Sequence, residues 1–292
     1  MVVQETHKKK FAKKLGALTS FVLPRKSHAK LLFYWKIGHR LNLKNPKTYN
    51  EKISWYKLYY LPHNELAISC TDKYLARKYL ESKGLGEYLN RILGDWKDAR
   101  DIDFDKLPNQ FVLKCTHGCK YNIIVNDKEK MNKKKAIKQL NKWLREDWGV
   151  YNCEPHYTKG HHFARIICEE FLGGEIVDYK FFCFDGVVSH MYIKSGKTLT
   201  FLDKEGAMAP FKLKNYPTNS NCVPPEKFEK MKELSELLAK DFPVVRVDWF
   251  EIDGKIYFSE LTFSPSAGLE KYQPARFDLE IGGLMSIPCT KK

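Results

Sequence analysis

The hydrophobic and polar positions of this chain follow two periods, and the switches between them mark its elements. Apolar residues at three- and four-residue spacing predict helices over "SHAKLLFYWKIGHRLN", "TYNEKISWYKLYYLP", "TDKYLARKYLESKG", "DKEKMNKKKAIKQLNKWLRE" and "PPEKFEKMKELSELLAKDF". Thr48 with Glu51 is a capping box opening the second helix. Thr71 or Asp72 opens the third, which should stop at Gly84. Short apolar runs predict strands at "QFVLKCTHG", "NIIV" and "ARIICEEFL". Two hairpins follow: "DYKFFCFDGVVSHMYIK", turning at Asp185-Gly186, and "RVDWFEIDGKIYFSELTFSP", turning at Asp253-Gly254. Strands and helices mix without strict βαβ alternation, and neither repeats nor low-complexity linkers occur. This predicts an α+β fold of lobes rather than a doubly wound sheet.

The last hairpin carries two carboxylates, Asp248 and Glu260, inside apolar runs that disfavour them. Side chains alternate faces along a strand, so parity decides whether they meet. A strict two-residue turn at Asp253-Gly254 pairs Asp248 with Ser259 and sends Glu260 to the other face. A three-residue loop beside a bulge puts Arg246, Asp248 and Glu260 on one face, with the acids as diagonal neighbours. Diagonal neighbours lie roughly 7–8 Å apart, within reach of a shared ion. Two buried like charges need a cation between them, and Mg²⁺ takes one or two carboxylates plus phosphate oxygens. The plainer alternative is an exposed face with Arg246 and Glu260 as a cross-strand ion pair.

Composition narrows the class. The chain has 292 residues, 43% of them hydrophobic and 14% aromatic, enough for two lobes around a cleft. No apolar run reaches the roughly 18 residues of a membrane span. The basic start "MVVQETHKKKFAKK" leads into "LGALTSFVLP", a poor secretion signal, and eight scattered cysteines suit reduced thiols. A cytoplasmic protein is expected. Cys115 and Cys119 flank His117, but no second ligand pair follows at zinc spacing. The net charge of +15 attracts anions in general. No nucleic-acid-binding motif is present, so no nucleic acid partner is expected. "HAKLLFYWKIGHRL" is either a core helix or one lying on the inner membrane surface.

Three lysines stand where lysine is costly. Lys73 sits in the first turn of a helix, against the dipole. Lys114 lies inside the strand "FVLKC", just before a loop with Gly118, which suits phosphate binding. Lys180 shares a strand face with Asp178. Each has a plain reading as a solvated or ion-paired cation.

Their order along the chain resembles the ATP-grasp superfamily, and within it the teichuronopeptide-biosynthesis (TupA-like) branch of bacterial surface-polysaccharide clusters. The resemblance is carried by "NPKTYNEKISWYKL", "TDKYLAR", "DFDKLPNQFVLKCTHG", "DYKFFCFDG" and the last hairpin, from about residue 45 to 272. It implies a two-lobed fold with the nucleotide between two mixed or antiparallel sheets. The expected parts are a helical basic segment over 1–66, an N-terminal lobe over 67–165 and a C-terminal lobe over 166–292. It further implies ATP and Mg²⁺ as cofactors. Lys73 and Lys114 match the lysines that hold phosphates, and "THGCKYN", with His117, Gly118 and Lys120, matches the loop that folds over them. "CEEFL", with Glu169, Glu170 and Leu172, matches the segment that meets adenine, and Asp178 the acid near the ribose. Arg246 matches a catalytic cation, with Lys180 expected beside it in that role. Asp248, Glu260 and Thr262 match the metal ligands. Two departures stand out: Cys119, Lys120 and Tyr121 replace small loop residues, and Thr262 stands where an asparagine is usual.

The implied activity is a carboxylate–amine ligase working through an acyl phosphate, with an acidic surface-glycan or peptide acceptor. The rivals are a glycosyltransferase, suggested by the Asp-x-Asp pairs of "DIDFD" (101–105), and a basic nucleotide-binding adaptor without catalysis.

Overall fold

The computed structural model describes residues 19–20, 22–173 and 176–288. The basic run "HKKKFAKK", expected to belong to a helical segment, lies outside the described residues.

Helices lead the chain: α1 (Arg25–Ile37), α2 (Tyr49–Tyr59), α3 (Glu65–Cys70) and α4 (Lys73–Ser82). The Thr48–Glu51 capping box closes α2 at its start. Asp72 caps α4 by accepting from the amides of Tyr74 and Leu75. Strands β1 (Ile92–Trp96), β2 (Phe111–Cys115), β3 (Asn122–Val125) and β4 (Ile166–Glu170) form an antiparallel sheet in the order β1-β4-β2-β3. Between β3 and β4 run α5 (Lys133–Leu144) and α6 (Pro155–Gly160). Leu140 and Trp143 of α5 bury against Phe111, Leu113 and Ile123 and make this lobe's own core.

A second antiparallel sheet has the order β10-β9-β5-β6-β7. Its strands are β5 (Asp178–Phe184), β6 (Val187–Ser195), β7 (Thr198–Asp203), β9 (Val244–Ile252) and β10 (Lys255–Thr262). Helix α7 (Phe228–Ala239) covers one face, where the Trp249 indole donates to Ser235 at 2.8 Å. A short ribbon of β8 (Lys212–Leu213) and β11 (Tyr272–Gln273), then α8 (Arg276–Leu284), complete the lobe.

The α+β architecture of two antiparallel sheets matches expectation, but two boundaries do not. Strand β4 pairs with β1 and β2, so it belongs to the first lobe and not to a second beginning at 166. The lobes part after Glu170. Nor does α2, within the expected segment 1–66, stand apart. Tyr49, Ile53 and Tyr56 of α2 bury in one core with Phe181, Val247 and Phe263 of the second lobe. Gly282 of α8 lets α2 approach so closely that a Cβ there would stand 2.4 Å from the Lys47 carbonyl oxygen. Amphipathic pattern reveals that a strand or helix buries a face, but not which sheet receives it.

Candidate active site

The hairpin β9–β10 closes with a strict two-residue turn: Lys255 pairs with Ile252, and Asp253 and Gly254 take φ of 50° and 70°. The three-residue loop is therefore not formed. Even so, Asp248 and Glu260 do not part. A bulge between Phe258 and Glu260 skips Ser259 and sets Glu260 directly opposite Asp248. Thr262, not Glu260, stands opposite Arg246. The bulge does what the longer loop was expected to do, one residue of parity being recovered inside the strand instead of at the turn.

Across this face the strands align a row of charge. Asp248 lies opposite Glu260 on one side and Lys180 on the other, and Lys180 opposite Tyr192. Asp248 is fully buried. Its Oδ1 accepts from Arg246 Nε at 2.7 Å, and its Oδ2 accepts from Arg246 Nη2 at 2.7 Å and from Lys180 Nζ. Lys180 also lies 3.4 Å from Asp178 Oδ1. Arg246 Nη2 donates to Thr262 Oγ1 at 3.0 Å and lies 3.7 Å from Glu260 Oε1.

Glu260 differs from Asp248 in reach. Its side chain keeps 26% exposure and pairs with Lys73 at 3.3 Å. Burial acts to raise its pKa, but Lys73, Lys180 and Arg246 overcome that and hold it at about 2. Burial opposes the charge on Lys73, yet Glu260 leaves its pKa above the ordinary value. Lys73 Nζ also donates to the Gly118 carbonyl at 2.8 Å, and its amide donates to the Thr116 carbonyl. The first turn of α4 thus holds the loop after β2.

That loop is anchored from the lobe's interior. Tyr121 is buried, donates to Glu146 Oε2 at 2.6 Å and stacks on Trp143. Gly118 is required by this packing, since a Cβ there would lie 2.5 Å from the Tyr121 ring. His117 is also buried, its Nε2 3.1 Å from the carbonyls of Trp143 and Glu146. Burial first, and His161 stacked on it second, push its pKa down to about 4. The cofactor contact expected of His117 is therefore not made available: the ring braces the loop against α5. Cys119 and Lys120 are the exposed tip, with Lys120 at φ 64°.

Beside this cluster a cavity of about 420 Å³ opens between the two sheets. That volume suits a small-molecule ligand. Val112 and Ile124 line it from the first sheet, Phe250 and Phe258 from the second, and Glu169, Glu170 and Leu172 from the strand end and the crossing segment. The result is an apolar slot with polar ends, a shape that takes a flat heteroaromatic ring. Lys114 reaches it and binds Glu169 Oε2 at 2.6 Å, with Arg77 3.7 Å from the other carboxylate oxygen. Glu170 pairs with Arg91 at 3.2 Å, while its backbone carbonyl accepts from Asn90 Nδ2 at 2.9 Å.

The expected residues thus form two adjoining groups. Lys114, Glu169, Glu170 and Leu172 stand at the slot. Lys73, Gly118, Asp178, Lys180, Arg246, Asp248, Glu260 and Thr262 stand at the charged row and the loop above it. Sequence reasoning missed Phe250, Phe258, Ile124, Asn90 and Asn122, all of which line the slot. Phe250 and Phe258 were ordinary strand aromatics in the pattern, and only the facing sheet turns them into a floor.

The profile of the family described as TupA-like ATPgrasp matches residues 51–286, most of the chain. The chain belongs to the TupA-like ATP-grasp family. No curated protein matches it. Among solved structures it is similar to a D-alanine–D-alanine ligase from Bacillus anthracis complexed with ATP, at 19% identity and a TM-score of 0.41. That match covers 69% of this chain and 56% of the other. The corresponding enzyme from Helicobacter pylori is 16% identical at a TM-score of 0.48, covering 81% and 69%. An L-amino acid ligase from Bacillus licheniformis is 16% identical at 0.46, covering 75% and 50%. The chain therefore spans little more than half the length of the first of these.

For the metal that an ATP-grasp site implies, the donors fit in one way only. Among the described residues no group of three His, Cys, Asp or Glu could hold an ion. Asp248 has no exposed surface and both its oxygens already accept hydrogen bonds from cations. Asp248, expected to share the ion with Glu260, is neutralised here by Arg246 and Lys180. Thr262 has its hydroxyl engaged by Arg246. Glu260, accessible and ionised, fits an ion that arrives on nucleotide phosphates and takes one carboxylate from the protein.

Proposed function

We propose that this ATP-grasp protein is a carboxylate–amine ligase of the cytoplasm. It joins an amino acid or similar amine to a carboxylated sugar or peptide of a bacterial surface polysaccharide. The observation that carries the reading is the adjacency of an apolar slot and a row of buried cations flanked by the partly exposed carboxylates of Glu260 and Asp178.

Adenine lies in the slot, between Val112 and Ile124 on one side and Phe250 and Phe258 on the other. Lys114 and Lys73 draw the phosphates along the cleft, and the loop tip at Lys120 covers them. Glu260 would hold Mg²⁺ that arrives on the phosphates, and the ion would supply charge neutralisation at the phosphoryl group. An acceptor carboxylate oxygen attacks the γ-phosphorus, and ADP leaves. Arg246 and Lys180, fixed by Asp248, present their remaining N–H groups to the acyl phosphate. Preorganised donors of this kind act where charge develops. The amine then attacks the acyl carbon, and phosphate leaves. The lobes must close, because water would hydrolyse the intermediate.

The transferase reading lacks a site. Asp101, Asp103 and Asp105 are exposed, with Asp103 pairing with Lys106 and Asp105 with Lys133. A non-catalytic binder is favoured by one feature, the closed state of Asp248. The test is release of ADP and phosphate from ATP with uronic-acid or acidic-peptide acceptors and amines supplied together. Release that depends on both co-substrates is the expected result. AMP release, or consumption of a sugar nucleotide with ATP intact, overturns it. Tight nucleotide binding without turnover on any acceptor leaves the binder.

A further inference from the structure

The chain's charge is not spread evenly. Twelve of its 50 lysines and arginines fall in residues 1–50, against one of its 35 acids, Glu5. That segment therefore carries +11 of the formal +15, and from Thr6 to Asn50 no acid occurs at all. Within the described part, Arg25, Lys26, Lys30, Lys36, Arg40, Lys44 and Lys47 are all exposed.

Helix α1 gives this block a shape. His28, Ala29, Leu32 and Phe33 bury against Leu41, Leu58 and Cys153. The opposite stripe, at spacing i, i+1, i+4 and i+5, is Lys30, Leu31, Tyr34 and Trp35. Tyr34 is 54% exposed and Trp35 50%, and Val22 just before the helix is 74% exposed. Large aromatics on a soluble surface lose by facing water. The bilayer interface takes their rings at headgroup depth, and lysine stems lie along it with their charges outward. None of these residues lines the nucleotide slot.

We propose that the outer face of α1 and the exposed basic residues on and after it, from Arg25 to Lys47, dock the protein on an anionic lipid surface. Tyr34 and Trp35 insert among the headgroups, and the surrounding lysines and arginines meet the lipid phosphates. The pairing of single-sign charge with exposed aromatics favours lipid over a soluble polyanion, which would need the cations alone.

The test is flotation of the full chain with vesicles of phosphatidylcholine, with and without 30 mol% phosphatidylglycerol. The vesicle proportion is an experimental setting of roughly the anionic content that makes such attraction measurable. Binding is expected only with the anionic lipid, and should weaken as salt rises. Lys30→Glu with Lys36→Glu should weaken it by well over tenfold, since each basic residue near the surface contributes about fivefold. Brominated lipid should quench tryptophan fluorescence in the native chain and not in Trp35→Phe. Tyr34→Ala with Trp35→Ala should lose vesicle binding while keeping its melting temperature and its response to Mg·ATP. Equal binding to neutral vesicles, or no binding to either, overturns the proposal. So does an aromatic double variant that binds vesicles as well as the native chain, which would leave a general polyanion patch; heparin competition would then be equal for both proteins.

Discussion

Asp248 is the residue whose role the structure changes most. In the sequence it was one of two acids on a hairpin, and nothing near it announced its neutraliser. Arg246 is two residues away, but Lys180 arrives from 68 positions earlier, across a strand pairing that pattern cannot foresee. Removing one partner of a buried ion cluster costs about 3–5 kcal/mol, because the others keep their charge without compensation. Asp248→Asn should therefore lower unfolding free energy by about 3 kcal/mol or more even without ligand, measured by denaturant titration. Glu260→Gln, at a partly exposed site, should cost under about 1 kcal/mol and instead raise the Mg²⁺ concentration needed for nucleotide binding. Were Asp248 a metal ligand only, its loss would leave the ligand-free fold unharmed. Acid separates them further. The folded pKa of Glu260, about 2, lies below its reference value of 4.5. Its contribution is thus present above pH 4.5 and lost as pH falls toward 2. Glu260→Gln should flatten the stability profile in that window.

The turn of the β9–β10 hairpin was legible, since Asp-Gly suits positive φ at both central positions. The bulge was not, because Ser259 has no signature that distinguishes a skipped residue from a paired one. That single feature decides whether the acids share a face. The loop after β2 shows the reverse case. It departs from the expected small residues, and the structure supplies a cause for one of them: Tyr121 is a core residue of the first lobe and the loop hangs from it. Gly118→Ala should force a Cβ against that ring. Overpacking costs typically about 1–3 kcal/mol, so unfolding should shift by that amount. Nucleotide affinity should fall as well, because the Gly118 carbonyl that holds Lys73 moves with the loop. Tyr121→Phe keeps the packing and loses one hydrogen bond. It should cost about 1 kcal/mol and leave affinity nearly unchanged. Equal affinity losses in both variants would mean that the loop is held by the phenol and not by packing.

Two lobes with separate cores meet along the apolar slot, and this division of labour explains what sequence could and could not show. Strands β2 to β6, β9 and β10 were legible from their own apolar runs and β1 and β7 were not, but a slot between sheets is a property of neither lobe. Its walls come from β2 and β3 above and from β9 and β10 below. A ligand gripping both walls should brace the molecule. At 100 times its dissociation constant it adds about 2.7 kcal/mol to stability. Mg·ATP should accordingly raise the melting temperature of both lobes together. Lys114→Ala and Phe258→Ala test the two walls by different chemistry. Lys114 is the cation at the slot, so its loss should weaken ATP and ADP more than adenosine. Phe258 offers only apolar contact, so its loss should weaken all three alike. The sites lie on opposite sheets, Lys114 against Glu169 and Phe258 against Trp249, so the two effects should add within about 0.5 kcal/mol in the double variant. The readout is calorimetric titration with each of the three ligands. If Lys114→Ala leaves ATP affinity intact, the lysine serves only Glu169, and the phosphates lie elsewhere. If Phe258→Ala leaves adenosine affinity intact, the base does not lie between the sheets, and the slot is a gap in packing rather than the nucleotide site.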